Sequence, residues 1–215
     1  MPAIAESAPA VPRRRPTWSF LAATLLAGVL LVHHGISGDG PPQPDRGAAR
    51  LGTDTPPADP LPAAAPQRIR IPEIGVNAPL TRVGRDAEGW LDAPPPDKAN
   101  LAGWFPGAVT PGERGTAVVD GHVDNAEGRA VFYGLGALKK GEHIEIDRAD
   151  GRTAVFEIHG IDVVDKKHFP SRRVYGGTGL PELRVITCGG TYSKGTGYAG
   201  NVVLYGLLTS VRDRT

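Results

Sequence analysis

From residue 67 onward, apolar and polar positions alternate in short runs broken by Gly, Pro and Asp. Arg68-Ile69-Arg70-Ile71 alternates and is closed by Pro72, which predicts a first strand at a sheet edge. Ala78–Val83 reads as a second strand. Trp90–Ala93 is a short extended piece before Pro94-Pro95-Pro96 force a loop, and Ala102–Gly107 is a compact aromatic turn with Trp104 in the core. Gly115–Asp124 predicts a hydrophobic strand running into a polar end. Glu142–Asp147 and Thr153–His159 alternate on either side of Asp150-Gly151 and so predict a hairpin, and Ile161–Val164 carries the chain onward. Arg184–Cys188 and Asn201–Leu208 are the last two strands, joined by a glycine-rich loop over 189–200. About eight short strands with little helix predict an all-β domain over residues 67–215, a closed or nearly closed β-barrel.

The pattern is different before residue 67. Residues 1–16 are polar and end in Arg13-Arg14-Arg15; Trp18–Val32 then carries no charge. With its flanks, the segment 17–36 approaches the roughly 20 residues that span a bilayer. The arginines predict a cytoplasmic N-terminus and an extracellular C-terminal domain. A cleaved signal peptide is the competing reading, but no small-x-small cleavage site follows, so a single-pass transmembrane anchor is expected. Residues 37–66 are rich in Gly, Pro, Ala and Asp and predict an extended, disordered tether.

Charge narrows the partners. A formal net charge of +1 gives no electrostatic case for nucleic acid. The single cysteine excludes an internal disulfide and leaves two readings, a buried inert thiol or a reactive one.

Cys188 follows the strand-forming Val185-Ile186-Thr187 and precedes Gly189-Gly190, so the expected position is the mouth of a strand, with room for a substrate backbone. A thiol is largely protonated at neutral pH and needs a basic or cationic partner to act as a nucleophile. His122 is the best candidate of the six histidines, because it also closes a hydrophobic strand, within Asp-Gly-His-Val-Asp. Two such strand ends can meet at one rim of a barrel. Asp120, His122 and Asp124 stand at i, i+2 and i+4, which would share a strand face. No further His cluster completes a metal site, so Asp124 is expected to orient His122 or a loop amide. No metal or other cofactor is expected.

Gly-His-Val-Asp (121–124) followed by Val-Ile-Thr-Cys-Gly-Gly (185–190) resembles the sortases, most closely the actinobacterial class F. Ile69–Val76, Ala102–Phe105, Phe169-Pro170, Val174–Gly176 and Asn201–Tyr205 support the resemblance in order along about 67–210. It implies an eight-stranded barrel and a cysteine transpeptidase, with Cys188 and His122 catalytic. Cys188 would cleave a Leu-Pro-x-Thr-Gly-like sorting signal of an exported protein between Thr and Gly, through a thioester. An amine, on a peptidoglycan precursor of the cell wall or on a pilin lysine, would then take the acyl group. One feature departs from the family pattern. Sortases place an arginine at the start of the last strand, and none stands between Cys188 and Leu208. Asn201, Lys194, Arg184 and Arg173 are the candidates for its work on the oxyanion or substrate, with Asp124 and Thr187 in support. The loop Asp162–Tyr175, with Lys166 and Lys167, is placed near the substrate groove by the same analogy.

Other wall cysteine enzymes fit less well. L,D-transpeptidases carry Ser-His-Gly-Cys, and papain-like peptidases place Cys before His in the chain. The non-enzymatic alternative is an inactive sortase-like barrel, a membrane-tethered module binding wall polymer or protein.

Overall fold

In the computed structural model, which describes residues 40–87 and 89–214, backbone pairing rather than helix organises the chain. The strands are β1 (Pro66–Ile71), β2 (Val76–Arg82), β3 (Ala102–Trp104), β4 (Gly115–Asp120), β5 (Asp124–Asn125), β6 (Gly128–Arg129), β7 (His143–Arg148), β8 (Arg152–Asp165), β9 (Pro181–Ser193) and β10 (Gly197–Asp213). Eight of them close a barrel in the order β1-β2-β3-β4-β9-β10-β8-β7, with β7 pairing back onto β1. β5 and β6 form a separate small hairpin. One five-residue helix, α1 (Ser171–Tyr175), lies in the connection from β8 to β9.

The alternation read in the sequence fills the barrel. Ile69 and Ile71 of β1, Ala117 and Val119 of β4, Ile144 and Ile146 of β7, and Leu183 and Val185 of β9 share one buried cluster with Phe132 and Phe156. Burying each large aliphatic side chain contributes about 1.5–3 kcal/mol. The intervening residues of β4, β9 and β10 point outward, yet Val118, Ile186, Val203 and Tyr205 are buried there too, with Val174 of α1. The barrel wall is therefore covered on this side by the β8–β9 connection. Cys188 continues the outward series Arg184, Ile186 along β9.

Several expectations need correction. β1 is not an edge strand, because closure gives it two partners; Pro72 opens a 3₁₀ turn, where its missing N–H costs nothing. Trp90–Ala93 forms no strand, and its only pairing is a bridge between Arg85 and Leu91. Ala102–Trp104 is strand β3, parallel to β2, and Trp104 is buried as expected. Thr153–Val164 is one strand, bulged at His159, rather than two pieces. The glycines of 189–200 extend the β9–β10 ladder, with Gly200 opposite Gly189 and the rings of Tyr192 and Tyr198 5.0 Å apart over it. A Cβ on Gly189 would fall 2.5 Å from Val202 and one on Gly200 2.6 Å from the Val164 carbonyl, so this close approach needs glycine.

Residues 40–65, expected as a disordered tether, instead lie along the barrel in irregular conformation. The N–H groups of Ala58 and Leu61 donate to the Leu208 and Gly112 carbonyls at 2.8 Å each, and Ile161 N–H donates to Ala48 O at 2.9 Å. Thr53 and Thr55 hydroxyls both bond the Glu157 carboxylate, and the fully buried Arg148 guanidinium reaches the Pro62 carbonyl. Prolines make this possible. A stiff, extended segment loses less chain entropy on binding, and its unpaired carbonyls are acceptors for barrel donors. The anchor expected over 17–36 lies outside the described residues. Among the described residues no helix is long and apolar enough to cross a membrane.

Candidate active site

The parallel pairing of β4 with β9 sets the geometry. Every paired position differs by the same offset, from Gly115 opposite Pro181 to Asp120 opposite Ile186. His122 and Cys188 each lie two residues beyond that last pair, so both leave the paired stretch at the same end of the barrel. The rim is where β4 leaves the sheet while β9 continues against β10, with Asn201 directly across the ladder from Cys188. Cys188 is therefore not at the end of its strand; the neighbouring strand ends beside it. A hydrogen bond of 2.8 Å from the Thr187 hydroxyl to the Gly121 carbonyl ties the two segments at this point.

Cys188 and His122 line a cleft of about 360 Å³ with Trp90, Leu91, Phe169, Tyr175 and Ile186. Trp90 meets Phe169 edge-on at 6.1 Å, and Phe169 lies 5.5 Å from Tyr175, so an aromatic wall faces the thiol. Cys188 itself is half-buried. Such a cleft suits an extended peptide with apolar side chains.

His122, Lys166, Asp120 and Asn201 are the polar side chains that line the cleft with the thiol. The His122 ring nitrogen Nε2 lies 2.6 Å from the Pro94 carbonyl, while Asp124 accepts from the Tyr198 hydroxyl. A carbonyl only accepts, so Nε2 carries a hydrogen and Nδ1 is the nitrogen that gains or loses a proton. Lys166 places Nζ 3.4 Å from Cys188 Sγ. Asp120 lines the cleft as well, and burial pushes its carboxyl up to about 8 despite the Gly121 N–H and the nearby Lys166 charge.

The other expected residues separate. Asn201 lines the cleft. Arg184 does not: it is buried beside α1, where it donates to the Val174 carbonyl at 3.0 Å, pairs with Glu182 and lies 4.7 Å over the Tyr205 ring. Arg173 pairs with Asp162 at 2.9 Å. Lys194 is exposed in the turn joining β9 to β10, six residues past Cys188, and does not line the cleft. Asp124 accepts from the Tyr198 hydroxyl, which links the His122 segment to the β9–β10 hairpin. Asp120, His122 and Asp124 do not share a strand face, because β4 ends at Asp120. Among the described residues no group of three or more His, Cys, Asp or Glu could hold a metal ion.

Sequence reasoning passed over Pro94 and Trp90 as site residues and weighed Asp120 only as a metal ligand. Asp120 carried a signal, being the polar residue that ends a strand otherwise buried on both faces. Pro94 and Trp90 carried none, since only tertiary contacts bring them to the cleft.

A barrel that sets one thiol and one imidazole in an apolar cleft has the parts for nucleophilic acyl transfer. The chain belongs to the sortase family: the model of the sortase domain matches residues 69–209. Members of this family are cysteine transpeptidases. Solved sortases share the fold. The Listeria monocytogenes sortase A aligns with a TM-score of 0.53 at 19% identity, over 72% of this chain and 92% of that one. The SrtA sortase of Actinomyces oris gives 0.52 at 20% identity, over 76% and 91%. No curated protein matches the sequence.

Proposed function

We propose that this chain is a cysteine transpeptidase of the sortase type, with Cys188 as nucleophile and His122 as its proton carrier. The observation that carries the reading is that both side chains line one cleft, just past the end of the β4–β9 pairing. The Cys188 thiolate attacks the carbonyl carbon of the scissile Thr–Gly peptide bond, forming a C–S bond and an oxyanion. As the oxyanion collapses, the C–N bond breaks and His122 gives a proton from Nδ1 to the departing amine. An incoming amine then attacks the thioester, loses its proton to His122 and releases Cys188. Dividing one acyl transfer into two makes each barrier lower.

The substrate in this reading is an exported protein bearing a Leu-Pro-x-Thr-Gly-like signal, and the acceptor an amine on a cell-wall precursor. The aromatic wall of Trp90, Phe169 and Tyr175 suits the apolar part of such a signal. Gly-His-Val-Asp and Thr-Cys-Gly-Gly support the actinobacterial class F. The uncharged segment 17–36 supports a membrane anchor with the barrel outside the cell.

The test is cleavage and transfer of a Leu-Pro-x-Thr-Gly peptide panel by the full chain in detergent, with a glycine-based amine as acceptor. The expected result is ligated product from wild type and loss of at least about 10³-fold in Cys188→Ala and His122→Ala. A thiol that alkylates normally yet forms neither cleaved nor ligated product from any peptide would overturn the proposal.

A further inference from the structure

We propose that Lys166 is the cationic catalytic residue of this site, pairing with the Cys188 thiolate and then with the oxyanion formed on the substrate carbonyl. The inference rests on the cysteine transpeptidase reading above and extends it to a residue on a different segment from the strand that resemblance points to. Lys166 lies just past the end of β8, and β10 runs between β8 and β9. Its side chain therefore reaches across β10 to the thiol, with Nζ at 3.4 Å from Sγ.

The position is held from both sides. Lys166 N–H donates to the Ala199 carbonyl of β10 at 3.1 Å. Asp165 accepts from the N–H groups of Lys167 and His168 at 2.6 and 3.0 Å, which fixes the turn that follows. A lysine on a fixed turn loses less freedom in reaching one point than a lysine on a free loop.

Elimination among the cations leads to the same residue. Of the residues lining the cleft, Lys166 is the one lysine or arginine. Arg184 and Arg173 are held by Glu182 and Asp162, and Lys194 lies in the hairpin turn. His122 directs Nε2 to Pro94, so the ring does not supply a second donor toward the sulfur from that atom. Asn201 can donate to an oxyanion but cannot balance its charge. The acid that would compete for Lys166, Asp120, has its carboxyl pushed up to about 8 by desolvation, which favours its neutral form at pH 7.

Throughout the cycle Lys166 keeps its proton. It donates a hydrogen bond to the sulfur as the thiol gives up its proton and becomes the nucleophile. Once the C–S bond has formed, the negative charge has moved from sulfur to the carbonyl oxygen, within reach of the same flexible ammonium. The His122 proton, not that of Lys166, leaves with the amine.

The experiment compares wild type, Lys166→Met and Lys166→Arg in the full chain, with Lys194→Met as control. Two readouts are taken: the rate of iodoacetamide alkylation of Cys188 at pH 7 and its salt dependence, and single-turnover acylation by the cleaved peptide. Lys166→Met should alkylate about tenfold more slowly, lose the salt dependence and acylate about 10²–10³-fold more slowly. Lys166→Arg should recover most of both rates, and Lys194→Met should match wild type. Lys166→Met with wild-type alkylation and acylation would overturn the inference while leaving the transpeptidase reading intact. A wild type that acylates with no peptide would sink that reading instead, and the alkylation arm would still decide whether Lys166 activates the thiol. Lys166 is a surface side chain, and unchanged thermal melting of each variant would show that the barrel is folded.

Discussion

Asp120→Asn should flatten the pH dependence of stability between about pH 5 and pH 8. In the folded barrel the Asp120 carboxyl is pushed up to about 8 by burial, with the Gly121 N–H and the Lys166 charge opposing the shift. In the unfolded chain it returns to an ordinary aspartate near 3.9. Between these values the folded state holds a proton that the unfolded state has released. The unfolded state therefore binds fewer protons, and stability falls as pH rises, by about 1.4 kcal/mol per pH unit. The contribution is complete below about pH 4 and exhausted above about pH 8, where both states are ionised. From pH 5 to pH 8 the ceiling is about 4 kcal/mol, which in a domain of this size corresponds to about 8–16 °C in Tm. Asparagine has nearly the same shape and cannot ionise, so the variant lacks this slope. The assay is calorimetry of both proteins at half-unit pH steps, reading the difference in Tm so that other titrating groups cancel. Parallel curves over that range would refute the argument that Asp120 is buried as a neutral acid.

Other predictions follow from the contacts around the site. Thr187→Val removes the bond to the Gly121 carbonyl and leaves that buried acceptor unpaired; it should cost about 1–3 kcal/mol in urea unfolding and lower kcat by misplacing His122 relative to Cys188. Arg184→Met leaves the buried Glu182 without its cation; a loss of about 3–5 kcal/mol is expected, with kcat of the folded fraction within a fewfold of wild type. A collapse of kcat at unchanged stability would instead make Arg184 catalytic. Replacing Thr53 and Thr55 together by Val strips two hydroxyl donors from Glu157; the segment 40–65 should then show faster hydrogen exchange and earlier proteolysis while the β7–β8 hairpin stays protected.

Much of the barrel was legible because its code is local. Alternation over Arg68–Ile71 and Glu142–Asp147, and the Asp150-Gly151 turn, each depend on neighbours within a few residues. His122 and Cys188 stood out as the ends of two hydrophobic strands breaking into glycine, and the fold places both on the lining of one cleft. The β4–β9 pairing ends two residues short of both. What failed depends on distant partners. The segment 40–65 reads as unfoldable alone because its donors and acceptors are satisfied by Glu157, Arg148 and barrel carbonyls far along the chain. Gly189 and Gly200 read as a loop because a glycine that permits close strand approach looks the same as one that permits a turn. The charge next to the thiol was sought on β9, on α1 and in the β9–β10 turn, whereas the barrel order puts the end of β8 one strand away from Cys188.

The most direct test of the central claim is the intact mass of the full chain after brief exposure to a Leu-Pro-x-Thr-Gly peptide and acid quench. Wild type should carry one adduct of the mass of the peptide up to its threonine, removed by hydroxylamine as a thioester is, and Cys188→Ala should carry none. An adduct that persists in Cys188→Ala, or a cleaved peptide with the wild-type mass unchanged under trapping conditions, would contradict covalent catalysis by Cys188.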